Sequence, residues 1–136
     1  MKRETASRLR QQLRSKLSEL DKLLTPVFES EPVFPGAVLL SRHRCGSPNC
    51  RCTTQGELHE SVRLQIRFKD GFATRCLSAE EAAAWRPRTE AYRRARAAQR
   101  AFGKWQREVV SLMDRIERAR RSTKGLQEDD RRRPLR

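Results

Sequence analysis

Residues 45–59 read CGSPNCRCTTQGELH, and this stretch holds three of the chain's four cysteines and one of its two histidines. Cys50 and Cys52 flank a single residue, Arg51, so one bend turns both sulfurs toward a common point. Cys45 lies five residues earlier across Gly46 and Pro48, which supply a turn, and His59 closes the stretch. Thiols and an imidazole gathered in this way are the ligand types of a tetrahedral, redox-inert zinc ion. We expect Cys45, Cys50 and Cys52 to bind one Zn2+ with a structural role. His59 is expected as the fourth ligand in preference to His43 or Cys76. A catalytic zinc would need an open position beside acid–base groups. Glu57 and Glu60 are the carboxylates close in sequence, and no HExxH-type helix accompanies them. A C-x-C pair without a thioredoxin-like βαβ pattern gives little to thiol redox chemistry. The expectation is therefore a metal staple and no enzyme.

Downstream of the knot, Val62, Leu64, Ile66 and Phe68 alternate with Arg63, Gln65 and Arg67, which predicts a half-buried strand. Asp70-Gly71 marks a turn, and residues 72–77 form the return strand. A three-residue loop over residues 69–71 pairs Phe68 with Phe72, Ile66 with Thr74 and Leu64 with Cys76. That register puts Cys76 in the core and leaves Arg63, Arg67 and Arg75 together on the opposite face. Upstream, the apolar run Ala37-Val38-Leu39-Leu40 predicts a strand leading toward His43, while residues 46–58 read as loop. This Cys-rich β module, residues 37–77, is near the size below which domains need a metal or another staple.

Helical patterns flank it. In residues 1–24, Leu9, Leu13, Leu17, Leu20 and Leu24 make one apolar stripe, which predicts an N-terminal amphipathic helix ended by Thr25-Pro26. Residues 25–36, with Pro26, Pro32, Pro35 and Gly36, read as an extended linker. Ser78 and Glu81 form a capping-box pattern, so a long basic helical arm is expected over residues 78–121, kinked near Pro87. Within it Ala91, Ala95, Ala98, Phe102, Trp105, Val109, Leu112, Ile116 and Ala119 recur at spacings of four and three, a coiled-coil-like seam. Residues 122–136 read as a disordered tail. The fold class is α+β: a small zinc-stapled antiparallel β head between an N-terminal helix and a long C-terminal helix. The first helix is expected to pack antiparallel on the seam. It leaves Trp105, Val109, Leu112 and Ile116 unmatched, an invitation to a homodimer or a partner helix.

The formal net charge is +14 over 136 residues, and residues 86–136 carry about +10 of it. Such an excess points to a polyanion, DNA or RNA first. Candidate contacts are Arg42, Arg44 and Arg51 around the knot, Arg63, Arg67 and Arg75 on the sheet, and Arg93, Arg94, Arg96 and Arg100 on the long helix. Arginine contacts of this kind give salt-sensitive, weakly sequence-selective binding to phosphates. The alternative is a structural adaptor that docks through Phe102, Trp105, Val109, Leu112 and Ile116 onto a larger protein such as a transposase or recombinase. A charged N-terminus without an apolar h-region and the lack of a run of about 20 apolar residues predict a cytoplasmic protein that does not enter membranes.

The span from Pro35 to about Phe102 resembles a small prokaryotic and phage domain family whose hallmark is a glycine, a strand ending in CGxPxCxC, and then HGPY. A strand pair, a turn and a helix with a YRR-like stretch follow. The matching residues here are Gly36, Cys45-Gly46-Ser47-Pro48-Asn49-Cys50-Arg51-Cys52, His59 and Tyr92-Arg93-Arg94. After His59 this chain has Glu60-Ser61-Val62 where the family has Gly-Pro-Tyr. The resemblance covers about half of the chain. It implies a shared fold and a setting among mobile-element and phage genes, and it carries no activity with it.

Overall fold

Val62, Leu64, Ile66 and Phe68 alternate with polar residues in β2 (His59–Phe68), the central strand of the one sheet among the described residues. The computed structural model describes residues 5–122 and residue 124. Its antiparallel sheet has the order β1-β2-β3, with β1 spanning Gly36–His43 and β3 spanning Gly71–Cys76. Two helices, α1 (Ala6–Ser18) and α2 (Leu20–Leu24), and a 3-10 turn (Thr25–Phe28) come first. One helical turn, α3 (Arg51–Thr54), sits between β1 and β2, and α4 (Ala79–Arg120) follows β3. The architecture is thus α+β, with a three-stranded antiparallel sheet between helical segments.

The chain forms two compact units, one built from the segments before Leu24 and from Ala101 onward, the other from Leu24–Arg100. In the first, Thr5 caps α1 by accepting the Arg8 N–H at 3.4 Å. The expected single helix over residues 1–24 is broken at Glu19. There the Ser15 carbonyl takes the Ser18 hydroxyl at 2.7 Å, and the Glu19 N–H bonds Lys16 instead, at 3.2 Å. Helix α1 runs antiparallel to the second half of α4. Lys16 lies beside Trp105 and Glu108, whereas Thr5, Ala6 and Leu9 share a cavity with Arg115, Arg118 and Ala119. Leu9 and Leu112 are buried, and the Trp105 Nε1–H donates to the Lys16 carbonyl at 2.8 Å. Part of the seam that the sequence pattern left unmatched, at Trp105 and Leu112, is therefore covered from within the chain, while Phe102 stays exposed. The seam residues Val109 and Ile116 are half-buried, and Phe102 stacks on Trp105 with ring centroids 5.7 Å apart.

In the second unit β1 pairs with β2 from Gly36↔Ile66 to His43↔His59. Gly36 has to be glycine because a Cβ there would collide with the Gln65 carbonyl and crowd the Phe34 ring. Phe34 itself meets Trp85 edge-on at 4.8 Å and donates its N–H to the Arg88 carbonyl. The β2–β3 hairpin departs from the expected register. Phe68 faces Gly71, Ile66 faces Ala73, Leu64 faces Arg75 and Arg63 faces Cys76, so the loop is two residues, Lys69-Asp70. Arg75 therefore shares the face of Leu64 and is parted from Arg63 and Arg67. Cys76 is exposed, not a core residue. Every residue of β3 is exposed, so no burial penalty opposes the one-residue shift.

The capping box forms as the sequence proposes: the Glu81 N–H donates to Ser78 Oγ at 3.2 Å, and the Ser78 N–H donates to Glu81 Oε1 at 3.3 Å. Helix α4 continues through Pro87 without interruption. Residues 25–28 of the expected linker form the 3-10 turn. The expected tail, apart from residues 122 and 124, lies outside the described residues. Among those described, no helix is long and apolar enough to cross a membrane.

Candidate metal centre

The end of β1 and the start of β2 bring Cys45 and His59 to the same edge of the sheet, because His43 and His59 are register partners. Gly46 then turns the chain with φ of 77°, a left-handed conformation that glycine adopts without strain. Ser47 receives the Cys50 N–H at 3.3 Å and the Thr53 hydroxyl at 2.8 Å, which folds residues 47–53 back on themselves. Cys50 is the N-cap residue of α3, and its carbonyl receives the N–H groups of Thr53 and Thr54. Cys52 lies in the first turn. What the sequence pattern left as loop over residues 46–58 thus contains a helical turn that aims two thiols one way.

The four side chains converge. The Sγ atoms of Cys45, Cys50 and Cys52 and a ring nitrogen of His59 all lie within 4.8 Å of one another, and among the described residues no other such cluster occurs. Cys45 Sγ is 3.5 Å from Cys52 Sγ, and Cys50 Sγ is 3.0 Å from His59 Nε2. These residues are close enough to hold a metal ion. Cys52 is fully buried, while Cys45 and His59 are exposed. His43 lies outside the set: its ring centroid is 5.9 Å from that of His59, and its Nδ1 is buried without a hydrogen-bond partner. Cys76 is outside it as well.

The thiols differ electrostatically. The Cys45 N–H, 3.4 Å from Cys52 Sγ, is the largest of the contacts that hold the Cys52 thiol down to about 6. Cys50 also gains from a backbone N–H, that of Cys52. The neighbouring Cys45 and Cys52 thiols, together with desolvation, outweigh it and leave Cys50 above the usual thiol value. A donated N–H that favours thiolate is the kind of second contact that supports a metal–sulfur bond. The cysteine spacing does not reveal it, since it depends on the turn at Gly46.

The candidate arginines fall into three groups. Arg42, Arg75 and Arg94 are each paired with a carboxylate: Glu60 at 3.1 Å, Glu81 at 2.9 Å and Glu29 at 2.9 Å. Arg63 donates to Ser61 Oγ at 3.3 Å, and Arg44 and Arg51 lie exposed beside the cysteine ligands. Arg67, Arg93, Arg96 and Arg100 are brought together around one cavity, along with Tyr92, which the charge pattern alone does not single out. The acidic partners were not legible either, because Glu29 reaches Arg94 across 65 residues. No protein-family model, no curated protein and no solved structure matches the chain.

Proposed function

We propose that this chain is a non-enzymatic, zinc-stapled module that binds DNA or RNA, acting as an accessory protein of a mobile-element or phage system. Three sulfurs and one imidazole nitrogen are the donor set of a closed structural zinc site. With Zn–S near 2.3 Å and Zn–N near 2.0–2.1 Å, a tetrahedron has edges of about 3.8 Å between sulfurs and about 3.6 Å between sulfur and nitrogen. The separations of 3.5 and 3.0 Å need only small side-chain adjustments to reach those edges. With all four positions taken by protein, the ion would have no open site for chemistry, which favours a structural role. Nucleic acid is supported by one observation above the others. A net charge of +14 is accompanied by exposed arginines on α4 that have no carboxylate partner among the described residues. The mobile-element setting rests on the CGxPxCxC resemblance.

The adaptor alternative drew on an unmatched helical seam, of which Trp105 and Leu112 meet α1 or are buried while Phe102 is exposed. The test of the preferred reading combines elemental analysis of purified protein and a Cys50→Ser variant with fluorescence anisotropy on labelled DNA and RNA across a salt series. One zinc per chain, lost in the variant, and binding that weakens steeply with salt are expected. Absence of binding to either nucleic acid at low salt would refute it.

A further inference from the structure

Four guanidinium groups surround a cavity of about 280 Å³ in the unit formed by residues 24–100, lined also by Gly36, Ala37 and Tyr92. Arg93, Arg96 and Arg100 stand at i, i+3 and i+7 on one face of α4, and Arg67 comes from the far end of β2. Like charges at these helical spacings repel. No carboxylate pairs with any of the four among the described residues; Arg96 bonds the neutral Gln99 side chain at 3.0 Å, and Arg67 lies 5.7 Å over the Phe72 ring. On the same helix Arg94 is satisfied by Glu29. Other arginines, such as Arg44 and Arg51, also lack a carboxylate partner among the described residues; what sets these four apart is the common space they line.

We propose that this cavity is a discrete phosphate site, in which the arginine forks and the Tyr92 hydroxyl grip one phosphate group while the Gly36 segment closes the floor. A phosphate presents tetrahedrally arranged acceptor oxygens that forked donors can meet from more than one side. The volume lies at the small end of ligand sites, enough for a phosphate with part of its sugar. The site rests on the nucleic-acid reading for its ligand, a backbone phosphate, with free inorganic phosphate as the other source of the same chemistry.

The test uses the full zinc-loaded chain. Inorganic phosphate is titrated and followed by amide NMR, and labelled oligo(dT) is titrated by anisotropy across salt. Two variants remove equal charge: Arg93→Gln/Arg100→Gln in the cavity and Arg10→Gln/Arg14→Gln on the exposed side of α1, with amide spectra verifying that both fold. The proposal expects saturable shifts at Gly36 and Ala37. It also expects a loss of about 10-fold or more in oligo(dT) affinity for the cavity variant alone. The salt slope of that variant should be shallower by about 0.7, the contribution of one phosphate contact on a single strand. Arg93→Lys/Arg100→Lys, which keeps charge without the fork, should recover part of the loss. Equal losses in the two Gln variants, without saturable phosphate shifts, overturn the site and leave nucleic-acid binding standing. Saturable phosphate shifts without oligo(dT) or RNA binding support the site for free phosphate and refute the nucleic-acid reading, and absence of both refutes both.

Discussion

Cys52→Ser strikes the proposed zinc site at its most confined residue. The Cys52 sulfur is fully buried, lies 3.5 Å from Cys45 Sγ and accepts the Cys45 N–H at 3.4 Å, so a serine hydroxyl cannot be replaced by a neighbouring donor. Structural zinc contributes about 10–16 kcal/mol at neutral pH in small modules. Divided over four ligands this is about 3–4 kcal/mol each, or about 10²–10³-fold in affinity. Within the sheet and its connections, residues 36–77, the buried side chains are Cys52 and Leu64. Burying a leucine-sized group stabilises by about 1.5–3 kcal/mol. On the proposed reading the ion would outweigh the apolar core of the head several-fold, and β1 and β2 should lose their pairing without it. Competition with a chromophoric chelator measures affinity, and amide exchange measures the ladder from Gly36↔Ile66 to His43↔His59. Cys52→Ser is expected to lose about 10²–10³-fold in zinc affinity and to exchange rapidly across β1 and β2. Cys76→Ser, whose thiol is exposed outside the cluster, should retain both properties. A Cys52→Ser protein that keeps one zinc at native affinity, or a metal-free wild type with a protected β1–β2 ladder, would refute this reasoning.

Gly36→Ala drives a methyl group into the Gln65 carbonyl, which is fixed by the ladder, and should destabilise the sheet by about 1–3 kcal/mol in denaturant titrations. Ser78→Ala removes half of the reciprocal cap on α4 and should cost about 0.5–2 kcal/mol, read as a lower unfolding midpoint. Lys16 and Glu108 meet at 2.6 Å; their hydrogen bond lowers the Glu108 carboxyl from 4.5 and raises the Lys16 ammonium from 10.5. The contribution of Glu108 is thus full above about pH 4.5 and fades as pH falls through its depressed value, while that of Lys16 is full below about pH 10.5 and fades as pH rises past it. Glu108→Gln should lower the melting temperature across the interval between those limits, with the difference shrinking in acid and in high salt.

Local chemistry made several elements legible. The alternation around Leu64, the reciprocal Ser78–Glu81 cap and the cysteine spacing each fix a local geometry, and the structure contains the strand, the cap and the Cys45–Cys50–Cys52–His59 cluster. The hairpin register was not legible, for a physical reason. A register is pinned when a slip would carry apolar groups from a buried to an exposed face, and β3 has no buried residue to resist slipping. The expected Phe68↔Phe72 pair would stabilise little, since both rings are largely exposed. The break at Glu19 was hidden because a five-leucine stripe fits one helix or two. Pairing of individual arginines was beyond reach, since Glu29 and Arg94 are joined by folding and not by proximity in sequence.

The proposed zinc site and the proposed phosphate site occupy opposite ends of the same two strands. The β1–β2 ladder runs from His43↔His59, where the cysteine knot attaches, to Gly36↔Ile66, beside Ala37 and Arg67 of the arginine cavity. Seven residues of extended chain separate those ends, about 24 Å at about 3.4 Å per residue. At that separation the ion cannot touch the phosphate, and its charge is screened by more than two Debye lengths at physiological salt, roughly 8 Å each. Any influence of zinc on phosphate affinity must therefore pass through the register of β1 on β2. Gly36 is the point where that register is tightest, because the Gln65 carbonyl leaves no room for a side chain. The cysteine knot clamps the ladder at one end and Gly36 seats it at the other. Arg67 is thereby placed opposite the α4 arginines by backbone pairing and not by side-chain packing, of which the sheet has little.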